Sequence, residues 1–167
     1  MNAAKKLLDT ALTWIVVVLF AALVIDVAWQ VFTRQVLNDP SGWSEELAKY
    51  LFIWLGLLAA ALVFGERGHI AVDFAVKKLP RKVQTVLAVV VQLSILTFTS
   101  LVLIWGGYLV VALAWNQNLT GLPINVGPLY LALPISGVLI ALYTIYHLVR
   151  IFTGTERPLV DAPQDVL

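Results

Sequence analysis

The sequence predicts an all-α integral membrane protein with four transmembrane helices, a short interfacial helix on the cytoplasmic side and both termini in the cytoplasm. Three observations lead there. Residues 83–149 contain no Asp, Glu, Lys or Arg. Hydrophobic residues make up 60% of the 167 and charged ones 13%, where a soluble domain has about half and about a quarter. The basic residues gather at the ends of the apolar runs. The charge-free run exceeds one spanning helix, and Asn116-Gln117-Asn118-Leu119-Thr120-Gly121-Leu122-Pro123-Ile124-Asn125 interrupts it without adding charge, so it is predicted to be a helical hairpin. Little sequence lies outside the apolar runs, which predicts that residues 1–167 form a single four-helix membrane domain.

The first span covers about residues 11–32 and contains one charge, Asp26. At ~1.5 Å per residue it crosses a hydrocarbon core of roughly 30 Å. Lys5 and Lys6 ahead of it also suit a signal peptide, but an acid within the apolar part and the lack of a small-x-small cleavage pattern favour a retained anchor. The second span, about 47–64, follows Trp43-Ser44-Glu45-Glu46. Ser44 is the expected N-cap, Glu45 and Glu46 meet the positive end of the helix dipole, and Gly65 closes the helix.

Pro80 opens the third span, about 83–115, where its missing N–H is not needed. A helix from Arg81 to Trp115 is ~50 Å long, so it must tilt, kink near Gly106-Gly107 or protrude. The fourth span is about 127–152, with Pro128 near its start and Pro134 as an expected kink. Between the second and third spans, Val72, Val76, Leu79 and Val83 recur at helical spacing among Lys77, Lys78 and Lys82, which predicts a helix lying along the membrane surface. A strand through Ile70, Val72, Phe74 and Val76 competes, but an unpaired strand leaves its backbone unsatisfied there. A flexible tail is expected from about residue 156 to 167, around Pro158 and Pro163.

Direction comes from the basic residues. Lys5, Lys6, Arg67, Lys77, Lys78, Arg81, Lys82, Arg150 and Arg157 fall on one side, while only Arg34 and Lys49 of the 11 fall on the other. The larger group marks the cytoplasm, leaving residues 33–46 and 116–126 as the two outward loops. Trp14, Trp29, Trp43, Trp105, Trp115, Tyr108, Tyr130 and Tyr146 are predicted interfacial anchors near span ends.

The sequence has too few convergent polar groups for an enzyme, so no catalytic residue is assigned. His69 and His147 lack neighbouring metal ligands, and there is no Gly-rich phosphate loop ending in Lys-Ser or Lys-Thr; no metal, cofactor or nucleic-acid partner is implied. Cysteine is absent, which excludes disulfides. Asp26 stands at membrane depth, with a structural role expected through water, Lys49, Arg34 or a partner chain. Glu45 and Glu46 diverge by ~100° on a helix and do not make a paired acid site; an i, i+4 link from Glu45 to Lys49 accounts for the first of them. Gly56 and Ala60, and likewise Gly137 and Ala141, are small-xxx-small pairs that permit close approach of another helix. Spans apolar nearly all round favour contacts with lipid and other helices over a polar pore.

The run Trp43-Ser44-Glu45-Glu46-Leu47-Ala48-Lys49-Tyr50-Leu51-Phe52-Ile53-Trp54-Leu55-Gly56, followed by Gly68-His69-Ile70-Ala71-Val72-Asp73 and Leu79-Pro80, resembles the small membrane subunit of tripartite ATP-independent periplasmic (TRAP) transporters, the DctQ type. Tyr130-Leu131-Ala132-Leu133-Pro134-Ile135 resembles the approach to that family's last helix. The resemblance implies an accessory subunit of the bacterial inner membrane that packs beside a separate large membrane subunit and helps a periplasmic substrate-binding protein dock. It also implies uptake of an organic acid driven by a sodium gradient. Carried over residue by residue, it places Trp43, Glu45, Glu46 and Trp54 in or beside partner contacts. Two rivals remain at this point: a self-sufficient homo-oligomeric transporter with Asp26 as its coupling acid, and a structural membrane protein unrelated to transport.

Overall fold

The computed structural model describes residues 3–66 and 80–153. They form four helical stretches, each long and apolar enough to cross a membrane. The first is α1 (Ala3–Phe32), continued by the π-helical turn Thr33–Leu37; the second is α2 (Gly42–Gly65). The third runs through α3 (Arg81–Phe98), a π-helical segment (Thr99–Gly106) and α4 (Gly107–Ala114). The fourth comprises α5 (Val126–Tyr130) and α6 (Ala132–Phe152). The expected surface helix, the tail from 156 and the segment containing His69 lie outside the described residues.

Pro80 stands immediately ahead of α3, and its carbonyl accepts the N–H groups of Val83 at 2.9 Å and Gln84 at 3.1 Å. Elsewhere the helix ends differ from expectation in three places. Helical structure continues through Leu37 and resumes at Gly42, so most of the expected outward loop 33–46 is helix. Asn38 makes the reversal at φ 52°, a left-handed conformation that asparagine tolerates, and the Thr33 carbonyl accepts the Asn38 and Asp39 N–H groups. Ser41, not Ser44, occupies the N-cap position of α2. Ser44 is already inside the helix, where its hydroxyl serves another partner.

The third stretch has no break at Gly106-Gly107. Its backbone instead widens into π-helix from Thr99 to Gly106, opposite Gly137 of the fourth stretch. A Cβ on Gly137 would lie 2.9 Å from both Leu103 Cβ and Ile104 Cγ1, and one on Gly107 would lie 2.9 Å from Leu133 Cβ. Two glycines on facing helices therefore let backbones meet. In the fourth stretch the interruption falls at Leu131, three residues before Pro134. Pro134 has no N–H for the Tyr130 carbonyl, so the ladder fails there. The Leu131 N–H turns back to Pro128 O at 3.3 Å, and regular bonding resumes from Ile135 to Leu131 O at 3.1 Å.

Packing follows the order α1 on α2, α2 on α6, and α6 on the third stretch. The fourth stretch is the most enclosed, with 39% of its most apolar window buried against 6% in the third. Leu12, Leu58, Ala61, Ile140 and Tyr143 form the core between α1, α2 and α6. Lipid tails are as apolar as leucine, so shape and polar links must hold these helices together.

Candidate functional site

The polar side chains gather in two layers, one near each end of the bundle. In the first, Lys5 Nζ lies 2.7 Å from Asp9 Oδ2, one helical turn away on α1. The Tyr143 hydroxyl donates to Asp9 Oδ1 at 2.6 Å, and Lys5 sits 5.7 Å from the Tyr143 ring centroid. One turn further along α6, His147 Nε2 is 3.2 Å from the Gly65 carbonyl that ends α2. Gly65 cannot be larger here, because a Cβ would lie 2.8 Å from the Tyr143 ring. Tyr143 and His147, four residues apart on one face and both buried, thus fasten α6 to α1 and α2.

In the second layer, Ser44 Oγ donates to Asp26 Oδ1 at 2.7 Å; the serine is fully buried and the aspartate 6% exposed. Glu46 accepts from Thr120 Oγ1 at 2.6 Å and from the Gly121 N–H at 2.9 Å. Further along α2, below this layer, the Tyr50 and Tyr130 rings meet edge to face at 6.4 Å and Trp54 Nε1 donates to Leu129 O at 2.9 Å. The loop after α4 closes on itself through Leu119 N–H to Ile124 O at 3.2 Å and Val126 N–H to Gln117 O at 2.8 Å. Its tip rests on the start of α2, where a Gly121 Cβ would lie 3.1 Å from Trp43 Cα. A Gly127 Cβ would lie 2.5 Å from Trp115 Cα, so the loop's return also requires glycine.

These contacts correct the expectations for Asp26. Its partner is Ser44, and it forms no ion pair with Lys49 or Arg34 among the described residues. Ser44 belongs to the first turn of α2, two residues before Glu46, so the Asp26 side chain meets α2 near its start. Its Oδ2 is buried without a hydrogen-bond partner among the described residues. The Glu45–Lys49 ion pair does not form either. Glu45 instead lines an open depression of about 340 Å³ with Gln30, Arg34, Pro40, Ser41 and Gly42.

Of the other predicted contact residues, Trp43 and Glu46 belong to the second layer, and Trp54 lies roughly two turns further along α2, against the core. Trp43 is exposed, whereas Glu46 and Trp54 are half-buried and bonded within the chain. Gly56 is open, with nothing within 4 Å of where a Cβ would be. Ala60 and Ala141 are half-buried, and Gly137 is enclosed against the third stretch. Sequence reasoning missed the Asp9–Tyr143 link. The signals were Lys5 and Asp9 four apart, and Tyr143 and His147 four apart on an otherwise apolar helix.

Among the described residues, no three His, Asp or Glu side chains come together as metal ligands. Among the described residues, the hydrogen-bonded polar side chains tie helices and loop together in pairs, while Gln30, Arg34, Ser41 and Glu45 line the open depression beside the start of α2. What the layers do chemically is clamp.

The sequence model of the family described as tripartite ATP-independent periplasmic transporters, DctQ component, matches residues 23–154. The chain belongs to this family. It is similar to the sialic acid TRAP transporter small permease protein SiaQ of Vibrio cholerae, 31% identical over 155 residues that cover 91% of this chain and 89% of that protein. A putative TRAP transporter small permease protein of Haemophilus influenzae is 31% identical over 163 residues, covering 94% and 99%. The sialic acid TRAP transporter permease protein SiaT of Haemophilus influenzae is 34% identical over 82 residues, which are 49% of this chain but 13% of that one. In SiaT the region like this chain is thus part of a much longer permease polypeptide. This chain is a small permease subunit of a TRAP transporter, a multi-pass protein of the bacterial inner membrane that works with a large permease subunit.

Proposed function

We propose that the chain is a rigid scaffold in a sodium-driven, binding-protein-dependent transporter for organic acids. It packs against the large membrane subunit, enlarges the static part of that subunit and contributes a platform on which the periplasmic binding protein docks. Both termini face the cytoplasm, and the layer containing Trp43, Glu46 and Thr120 faces the periplasm. Two relatives named above are named for sialic acid, a carboxylic acid, which supports the organic-acid class.

One observation carries this reading. All four spans expose large apolar side chains, among them Trp14, Phe52, Leu113 and Val149, while Asp9 with Tyr143 and Asp26 with Ser44 are engaged in pairwise clamps. Such a surface suits contact with lipid and other helices. The test is uptake by proteoliposomes holding the whole complex. The reading expects uptake to need both the binding protein and an inward sodium gradient; uptake that survives dissipation of sodium contradicts it.

A further inference from the structure

The third stretch carries two aromatic residues whose depth sets them apart. Between Lys49 and Glu66, α2 has no charged residue, and Leu58 lies near the middle of that interval. Leu58 and Ala61 pack with Ile140 of α6. One turn from Ile140, Gly137 faces Leu103 and Ile104. Trp105, next in sequence, therefore lies about a turn or two from the level of Leu58 and more than two turns before its helix ends at Ala114, with Tyr108 one turn beyond. Trp29 and Trp14, by contrast, lie within a turn or two of the Asp26 and Asp9 layers, and Trp115 ends its helix.

Trp105 is 62% exposed and Tyr108 60% exposed. Their rings lie 6.5 Å apart, yet neither the indole N–H nor the phenol O–H has a hydrogen-bond partner among the described residues. Tryptophan and tyrosine ordinarily place such donors among lipid headgroups. Acyl chains offer no acceptor, so a donor left in them goes unsatisfied at a cost in free energy. A second protein helix supplies what lipid cannot. Phe98, Leu101 and Leu113, 58%, 62% and 80% exposed, extend the same stretch of helix with apolar surface.

We propose that the face marked by Trp105 and Tyr108 is where the third stretch meets a transmembrane helix of the large permease subunit, which presents hydrogen-bond acceptors in mid-membrane. Side-chain oxygens of Ser, Thr, Asn or Gln, or carbonyls released from a broken helix, have the required chemistry. The inference rests on the scaffold reading and adds which face is covered and by what.

The test uses the full complex in membranes. A photo-reactive phenylalanine at Leu101 should crosslink to the large subunit, and the same group at Val18, on the exposed side of α1, should not. In a separate titration in lipid nanodiscs, Trp105→Phe and Tyr108→Phe each keep a ring and remove a donor. Each should weaken association roughly threefold and leave the thermal midpoint of the isolated chain unchanged. Crosslinks from Val18 alone, or Phe variants that associate like wild type, overturn the proposal while the scaffold reading stands. A wild-type chain that fails to associate with the large subunit overturns both.

Discussion

The hydroxyl of Tyr143 on α6 donates a 2.6 Å hydrogen bond to Asp9 on α1, joining residues 134 positions apart at one end of the bundle. Tyr143→Phe keeps the ring against Gly65 and removes only that bond, leaving Asp9 with Lys5. The expected loss is about 1.5 to 3 kcal/mol, typical of a hydrogen bond to a charged group. Thermal unfolding of the purified chain in detergent measures it; an unchanged midpoint contradicts the clamp.

Asp26 and Ser44 form the corresponding link at the other end. Ser44→Ala and Asp26→Ala should each destabilise the chain, and the double variant should fall short of their sum by about 0.5 to 3 kcal/mol, as for residues in direct contact. Asp26→Asn, which can still accept from Ser44, should be milder and leave the sodium and pH dependence of residual uptake unchanged. An altered ion dependence in an intact complex would instead assign Asp26 to coupling.

The two glycines of the small-xxx-small pairs should part company. Gly137 is enclosed by Leu103 and Ile104, so Gly137→Leu should lower the stability of the isolated chain by about 1 to 3 kcal/mol or more through overpacking. Gly56 faces open space, so Gly56→Leu should leave that stability unchanged and weaken association only if its face meets the large subunit. Equal thermal midpoints for the two variants would contradict the packing of α6 on the third stretch.

The spans were legible because membrane depth is written in composition: long runs without charge, bounded by Lys, Arg and turn residues, allow few alternatives. The pairing of Asp26 with Ser44 was not legible. Local spacing offered Ser44 as a cap and Lys49 as a partner, and only the continuation of α1 through Leu37 places Asp26 beside the start of α2. Pro134 announced a disturbance, but the break appears at Leu131 because the lost bond is the one to the preceding turn. The π-helical widening from Thr99 to Gly106 occurs opposite Gly137, a tertiary approach that periodicity within the third span does not record. Glu46 was visible as a first-turn acid, whereas its bonds to Thr120 and Gly121 depend on how a distant loop folds back.

Orientation is a separate prediction, drawn from the nine basic residues on one side and Arg34 and Lys49 on the other. A reporter active only outside the cytoplasm should work when fused at Asn118 and stay silent when fused at Lys78 or after Asp165. Activity at Lys78 would invert the assignment and place the Trp43, Glu46 and Thr120 layer in the cytoplasm.

The most direct measurement of the scaffold claim is substrate uptake by proteoliposomes containing this chain alone, set beside vesicles that also hold the large permease subunit, both given the binding protein and an inward sodium gradient. The account predicts no uptake above empty vesicles for the chain alone and uptake once the large subunit is present. Sodium-dependent uptake by the chain alone would contradict it.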